Sequence, residues 1–108
     1  MIQKKKFSEA IAANISVVEG LIKPLKLYDA PIGPINDLNN YTEYGLYITG
    51  TNPSSVINGP SNLKGARANI LVFGYGKERI LQVIITDIAE IAARFKIEDV
   101  WTTWKNNL

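Results

Sequence analysis

The sequence predicts a mainly β protein with an N-terminal α-helix, the β part being a small antiparallel sheet. Two observations carry the sheet. Ile70, Leu71, Val72 and Phe73 form one apolar run, and Ile80 to Ile85 form a second that is broken only by Gln82. Both have strand length and are rich in β-branched residues. Between them Gly74-Tyr75-Gly76-Lys77 supplies the reversal, so residues 69–87 read as a central hairpin. The third observation is a change of period upstream, where residues 7–22 carry Phe7, Ile11, Ile15, Val18 and Ile22 at helical spacing.

That first segment has the marks of a helix. Ser8 suits an N-cap, Glu9 a first-turn acid, and Ala10, Ala12 and Ala13 favour helix. Pro24 stops it, since the residue before a proline is pushed out of the α region. From Ile11 onward the 4-3-4 spacing is that of a coiled-coil seam, and β-branched residues at both core positions favour three strands. The same residues also suit a short amphipathic helix lying on its own sheet.

Leu25, Leu27 and Tyr28 suit a short strand, after which Pro31, Gly33 and Pro34 predict a linker over 30–36. Asp37-Leu38-Asn39-Asn40 reads as a turn with Leu38 anchored inward. Residues 45–50 read as a strand with Leu46 and Ile48 on one face and Tyr47 and Thr49 on the other. A long polar loop over 51–68 follows. Over 88–97 helical and alternating patterns coincide, and local propensity alone favours helix. Trp101 and Trp104 are expected to cover an edge or end of the sheet. The organisation expected is residues 1–35 as helix and linker, and 36–108 as the β-rich domain.

Composition excludes several functions. Twelve basic residues against 10 acidic give +2, too little for nucleic-acid binding driven by charge. There is no Cys or His, which removes disulfides, thiolate chemistry and the Ser-His and Cys-His nucleophile systems. No cofactor and no metal site is expected. Asp87, Glu90, Glu98 and Asp99 cluster in sequence and could form a glycosidase pair, but Glu98-Asp99, next to Trp101, reads as a surface turn, which argues against it. No apolar stretch has the length of a membrane span, and no signal-peptide pattern follows the basic start, so cytoplasmic synthesis is expected.

The order of short motifs carries a resemblance. Asn36-Asp37-Leu38-Asn39-Asn40, Tyr44-Gly45-Leu46-Tyr47, Asn58-Gly59-Pro60 and Leu71-Val72-Phe73 come first. Then follow Leu81-Gln82-Val83-Ile84-Ile85-Thr86, Ala93-Arg94-Phe95 and Trp101-Thr102-Thr103-Trp104-Lys105. Residues 36–105 thus resemble the C-terminal knob domain of bacteriophage tail fibres and R-type pyocin fibres. The resemblance implies a non-enzymatic knob, usually trimeric, borne on a fibre, with 90–97 as a strand and Arg94 at the family's arginine position. The alanine-rich 88–93 departs from the family's more polar pattern.

What the resemblance implies is a tail-fibre or baseplate knob in the virion. It would be a homotrimer with a short helical stalk (seam Ile11, Ile15, Val18, Ile22), contacting other virion proteins and binding a bacterial cell-surface glycan. The alternative is a structural virion protein (head fibre, decoration or tail connector) without receptor binding. A glycan depolymerase is a third, weaker reading. The ligand residues expected are Tyr44, Tyr47, Asn52, Asn58, Asn62, Lys64 and Arg67, neutral groups and cations that suit sugar hydroxyls and phosphate-bearing polymers. Trp101, Trp104 and Arg94 are expected to be structural. On this reading, changing Asn58 and Asn62 together to alanine weakens cell binding and leaves melting unchanged.

Overall fold

The computed structural model describes residues 26–27, 30–75 and 78–106. The predicted helix and its seam lie outside them. The described residues form a seven-stranded sheet in the order β1 (Lys26–Leu27), β2 (Gly45–Thr49), β3 (Ala68–Tyr75), β4 (Arg79–Thr86), β5 (Ile91–Ile97) and β6 (Val100–Trp101). The last strand, β7 (Lys105–Asn106), also pairs with β5. From β2 to β6 every neighbouring pair is antiparallel, while β1 runs parallel to β2.

The central hairpin is β3 and β4, in register from Ala68 opposite Thr86 to Tyr75 opposite Arg79. Alternation then sorts side chains to two faces. On β4 the inner face carries Ile80, Gln82, Ile84 and Thr86, all buried. Its neighbours contribute Tyr47 and Thr49 from β2, Ile70 and Val72 from β3, and Ala92 and Arg94 from β5. The strand reading of β2 therefore holds in its faces as well as its span.

The inner face is roofed by irregular chain. Ile32, Leu38, Val56 and Leu63 are buried against it. The linker expected over 30–36 is corrected here. The Ile32 amide donates to the Ile48 carbonyl at 2.7 Å, and its side chain is almost wholly buried. Prolines and glycine prevent regular structure in that stretch without preventing packing, and the packed body reaches back to β1. Leu38 enters the core from a 3-10 turn, Leu38–Asn40, capped by Asp37 Oδ1 accepting from the Asn39 amide at 2.8 Å.

Residues 91–97 are a strand, against local helix propensity and in keeping with the resemblance. The turn ahead of it has Ala89 at φ 63°, and the Thr86 amide donates to the Glu90 carbonyl at 2.9 Å. Once one side of β4 is open to pairing, ladder bonds and burial of Ala92 and Arg94 outweigh the weak preference of alanine for helix. Glu98 and Asp99, both with positive φ, form the two-residue connection from β5 to β6. That accounts for these carboxylates as a surface turn.

The outer face carries a different population. Its register rows read Leu27, Leu46, Leu71, Val83 and Ala93, then Ile48, Asn69, Ile85 and Ile91, then Phe73, Leu81 and Phe95. Ile48, Phe73, Ile85 and Phe95 are exposed by 38–46%.

Candidate functional site

A buried polar and aromatic cluster centres on Arg94. Its guanidinium stacks on two indoles, with Cζ 3.9 Å from the Trp101 ring centre and 4.6 Å from that of Trp104. Nε donates to Gln82 Oε1 at 2.8 Å. Gln82 Nε2 in turn donates to the carbonyls of Leu38 and Tyr41, at 2.8 and 2.9 Å. One polar chain therefore ties β5 through β4 to the 3-10 turn on the roof. Nη2 is buried and makes no hydrogen bond among the described residues, so stacking is what it has instead. Burial lowers the Arg94 pKa to about 10, opposed by the charge of Asp37. Trp101, on β6, and Trp104 are partly buried against the core beside β5.

Trp104 reaches further. Its Nε1 donates to the Asn58 carbonyl at 2.8 Å, and Asn106 Nδ2 donates to the Ser61 carbonyl at 2.5 Å. Both bonds hold the 58–61 turn against the C-terminal strand. Asn58 sits at φ 58°, a region asparagine tolerates better than most residues, and its Nδ2 donates to Asp37 Oδ1 at 2.8 Å. Gly59 follows because a Cβ there would lie 2.1 Å from the Pro53 carbonyl oxygen.

The stretch expected to be a ligand-presenting loop is thus largely occupied with its own fold. Asn52 caps a 3-10 turn, Pro53–Ser55, by accepting from the Ser54 amide at 2.7 Å, and its Nδ2 donates to the Leu63 carbonyl at 2.7 Å. Ser54 Oγ accepts from the Leu63 amide at 2.9 Å. Tyr47 is 2% exposed, its hydroxyl donates to the Glu43 carbonyl at 2.7 Å, and Tyr41 meets its ring edge-on at 5.0 Å. It offers no face to a sugar, because alternation along β2 turns it inward. Tyr44 is half-buried. Asn62, Lys64 and Arg67 remain exposed on the same stretch as Asn58, which is where the sequence placed them.

Two of the clustered carboxylates have backbone partners. Glu90 accepts from the amides of Lys64 (2.9 and 3.0 Å) and Gly65 (2.8 Å) and from the Thr86 hydroxyl (3.1 Å), while Asp87 accepts from the Ala66 amide at 3.1 Å. The Lys64 amide, followed by Gly65 and Thr86, holds the Glu90 pKa below the usual carboxylate value, against some desolvation. Asp37 is lowered likewise, by Asn58 first and then the Asn39 amide. These acids staple loop ends to strands.

Beside the clamp lies a shallow groove of about 400 Å³ at the β5 edge, lined by Ala93, Arg94, Phe95, Thr102, Thr103, Trp104 and Lys105. Thr102 Oγ1 accepts from the Phe95 amide at 2.9 Å, whereas Thr103 and Lys105 are exposed. An apolar wall with a few polar groups at its rim is the usual make-up of a small-ligand site. Thr102, Thr103 and Lys105 were not singled out from the sequence. The sequence signal is two hydroxyls set between two indoles, and their meeting with Ala93 and Phe95 depends on strand pairing that local pattern does not carry. No family model, curated protein or solved structure matches this chain.

Proposed function

We propose that the chain is a phage tail-fibre or baseplate knob that binds a glycan on the host surface, assembled as a trimer on a short N-terminal stalk. The observation that supports it best is the groove beside Trp104. A half-buried indole and Phe95 supply apolar surface for a sugar ring, Thr103 a hydroxyl, and Lys105 a cation for a phosphate or carboxylate substituent. The 58–62 turn abuts it through Trp104 and Asn106, so Asn62 belongs to its surroundings while Asn58 serves to hold the turn. The antiparallel sheet and the arginine held by two tryptophans accord with the resemblance on which the virion assignment rests.

A second reading, a structural virion protein without receptor binding, gains from one finding. The amides of Asn52 and Asn58 already donate within the fold. Binding of the labelled full chain to whole bacterial cells separates the two. Thr103→Ala combined with Lys105→Ala is expected to weaken cell binding at least about tenfold, the loss of roughly 1.4 kcal/mol, without moving the melting temperature. Binding by the unchanged chain that survives this double change would refute the groove. An unchanged chain that binds no cell while assembling normally would favour the structural reading.

A further inference from the structure

We propose that Asn58 is a covalent modification site, an asparagine whose deamidation the folded turn holds in check and whose product unfastens that turn. The fold itself calls for the sensitive dipeptide. Asn58 has φ 58°, a region that asparagine tolerates better than most residues, and a Cβ at Gly59 would lie 2.1 Å from the Pro53 carbonyl oxygen. Each position is thus filled for a packing reason, and the two together make Asn58 the one asparagine in the chain that glycine follows. With no side chain on that following residue, its backbone nitrogen meets the least hindrance in reaching the asparagine side-chain carbonyl carbon. Asn58 is exposed, so water and base have access to it.

The step balances with water as its only co-reactant. The Gly59 nitrogen, having lost its proton to solvent base, bonds to Asn58 Cγ, and the Cγ–Nδ2 bond breaks as ammonia leaves, taking up a proton. Water then opens the cyclic imide at either carbonyl, giving aspartate or isoaspartate with no change in oxidation state. Three bonds of the turn oppose the first stage. The Gly59 amide donates to the Val56 carbonyl at 2.9 Å, Asn58 Nδ2 donates to Asp37 Oδ1 at 2.8 Å, and the Asn58 carbonyl accepts from Trp104 Nε1 at 2.8 Å. Attack therefore waits for local opening. Its product cannot close the turn again. Oxygen replaces Nδ2, so a second carboxylate faces Asp37 where a donor stood, and like charges at that separation exclude each other. Isoaspartate also reroutes the backbone through the side chain, at the point where the Trp104 bond is anchored. The result is a one-way switch on the roof of the sheet.

The test uses the full chain in mildly alkaline buffer, folded and in urea, with ion exchange to follow the added negative charge and peptide mass spectrometry to place it. In urea the exchange of NH2 for OH is expected at Asn58 ahead of every other asparagine. The folded chain is expected to convert at the same position at least about tenfold more slowly, as gating by local opening requires. Asp37→Ala and Trp104→Phe each remove a bond that holds the turn. Each is expected to bring the folded rate about fivefold nearer the urea rate of the same variant, with circular dichroism confirming that it stays folded. Asn58→Asp is expected to lower the melting temperature, and adding Asp37→Asn to restore most of it, because the pair then bonds with donor and acceptor exchanged. Conversion in urea first at another asparagine, or a folded rate equal to the urea rate, would overturn the proposal. So would a folded rate that neither variant moves, or an Asn58→Asp chain as stable as the unchanged one.

Discussion

At the scale of single residues, the fold turns on a buried cation with few hydrogen bonds and much aromatic contact. Arg94 is 5% exposed, yet Gln82 is its one hydrogen-bonding side chain among the described residues. Its planar group accepts this because two indole faces replace water, an arrangement that lysine would not reproduce. Trp104→Ala should therefore cost about 3 kcal/mol or more, by removing the stacked ring and the bond to the Asn58 carbonyl together. Trp104→Phe should keep most of the ring packing and lose about 1 kcal/mol for the bond. Chemical denaturation of the two variants gives both numbers, and equal losses would show that the ring's packing is immaterial. Asn58→Ala should destabilise by about 1 kcal/mol from its left-handed backbone alone. That replaces the expectation, drawn from the sequence, that changing Asn58 and Asn62 together leaves melting untouched.

At the scale of elements, the strands were legible and the roof was not. The apolar runs at 70–73 and 80–85 lie inside β3 and β4, and Leu46, Tyr47, Ile48 and Thr49 face as alternation requires. What sequence pattern does not carry is which polar residues will spend their hydrogen bonds internally. Asn52, Asn58 and Glu90 look like surface groups in the sequence, and their partners lie 11, 21 and 26 positions away. The same distance explains the missed groove, whose walls come from two stretches brought together by the pairing of β5 with β7. Residues 91–97 show the opposite balance, with local propensity overruled by pairing.

The staples at this scale carry a pH dependence. Asp37 and Glu90 have folded pKa values below their unfolded ones, so each binds a proton less readily when folded. Their stabilisation is fully present above the unfolded values, near pH 4, and is lost as pH falls through the folded ones. With no histidine in the chain, melting temperature should stay nearly level from pH 8 to 5 and drop below about pH 4. Asp37→Asn, which removes one of the two acids, should make that acid limb shallower. A steep fall between pH 7 and 5 would mean that some other group controls folding.

For the whole molecule, among the described residues, one face of the sheet is buried beneath loops and the other carries the exposed apolar side chains Ile48, Phe73, Ile85 and Phe95. A small domain gains little margin from a one-sided core, and stable β-sheets are ordinarily covered on every apolar face. The proposed trimer would bring copies together as a fibre tip requires. Folding and association are then linked, so stability must depend on how much protein is present. The most direct test of this account is the melting temperature of the full chain measured by circular dichroism over a hundredfold range of protein concentration. The midpoint is expected to climb steadily with concentration. A midpoint that stays the same across that range in the unchanged chain, together with a single-chain mass, would contradict it.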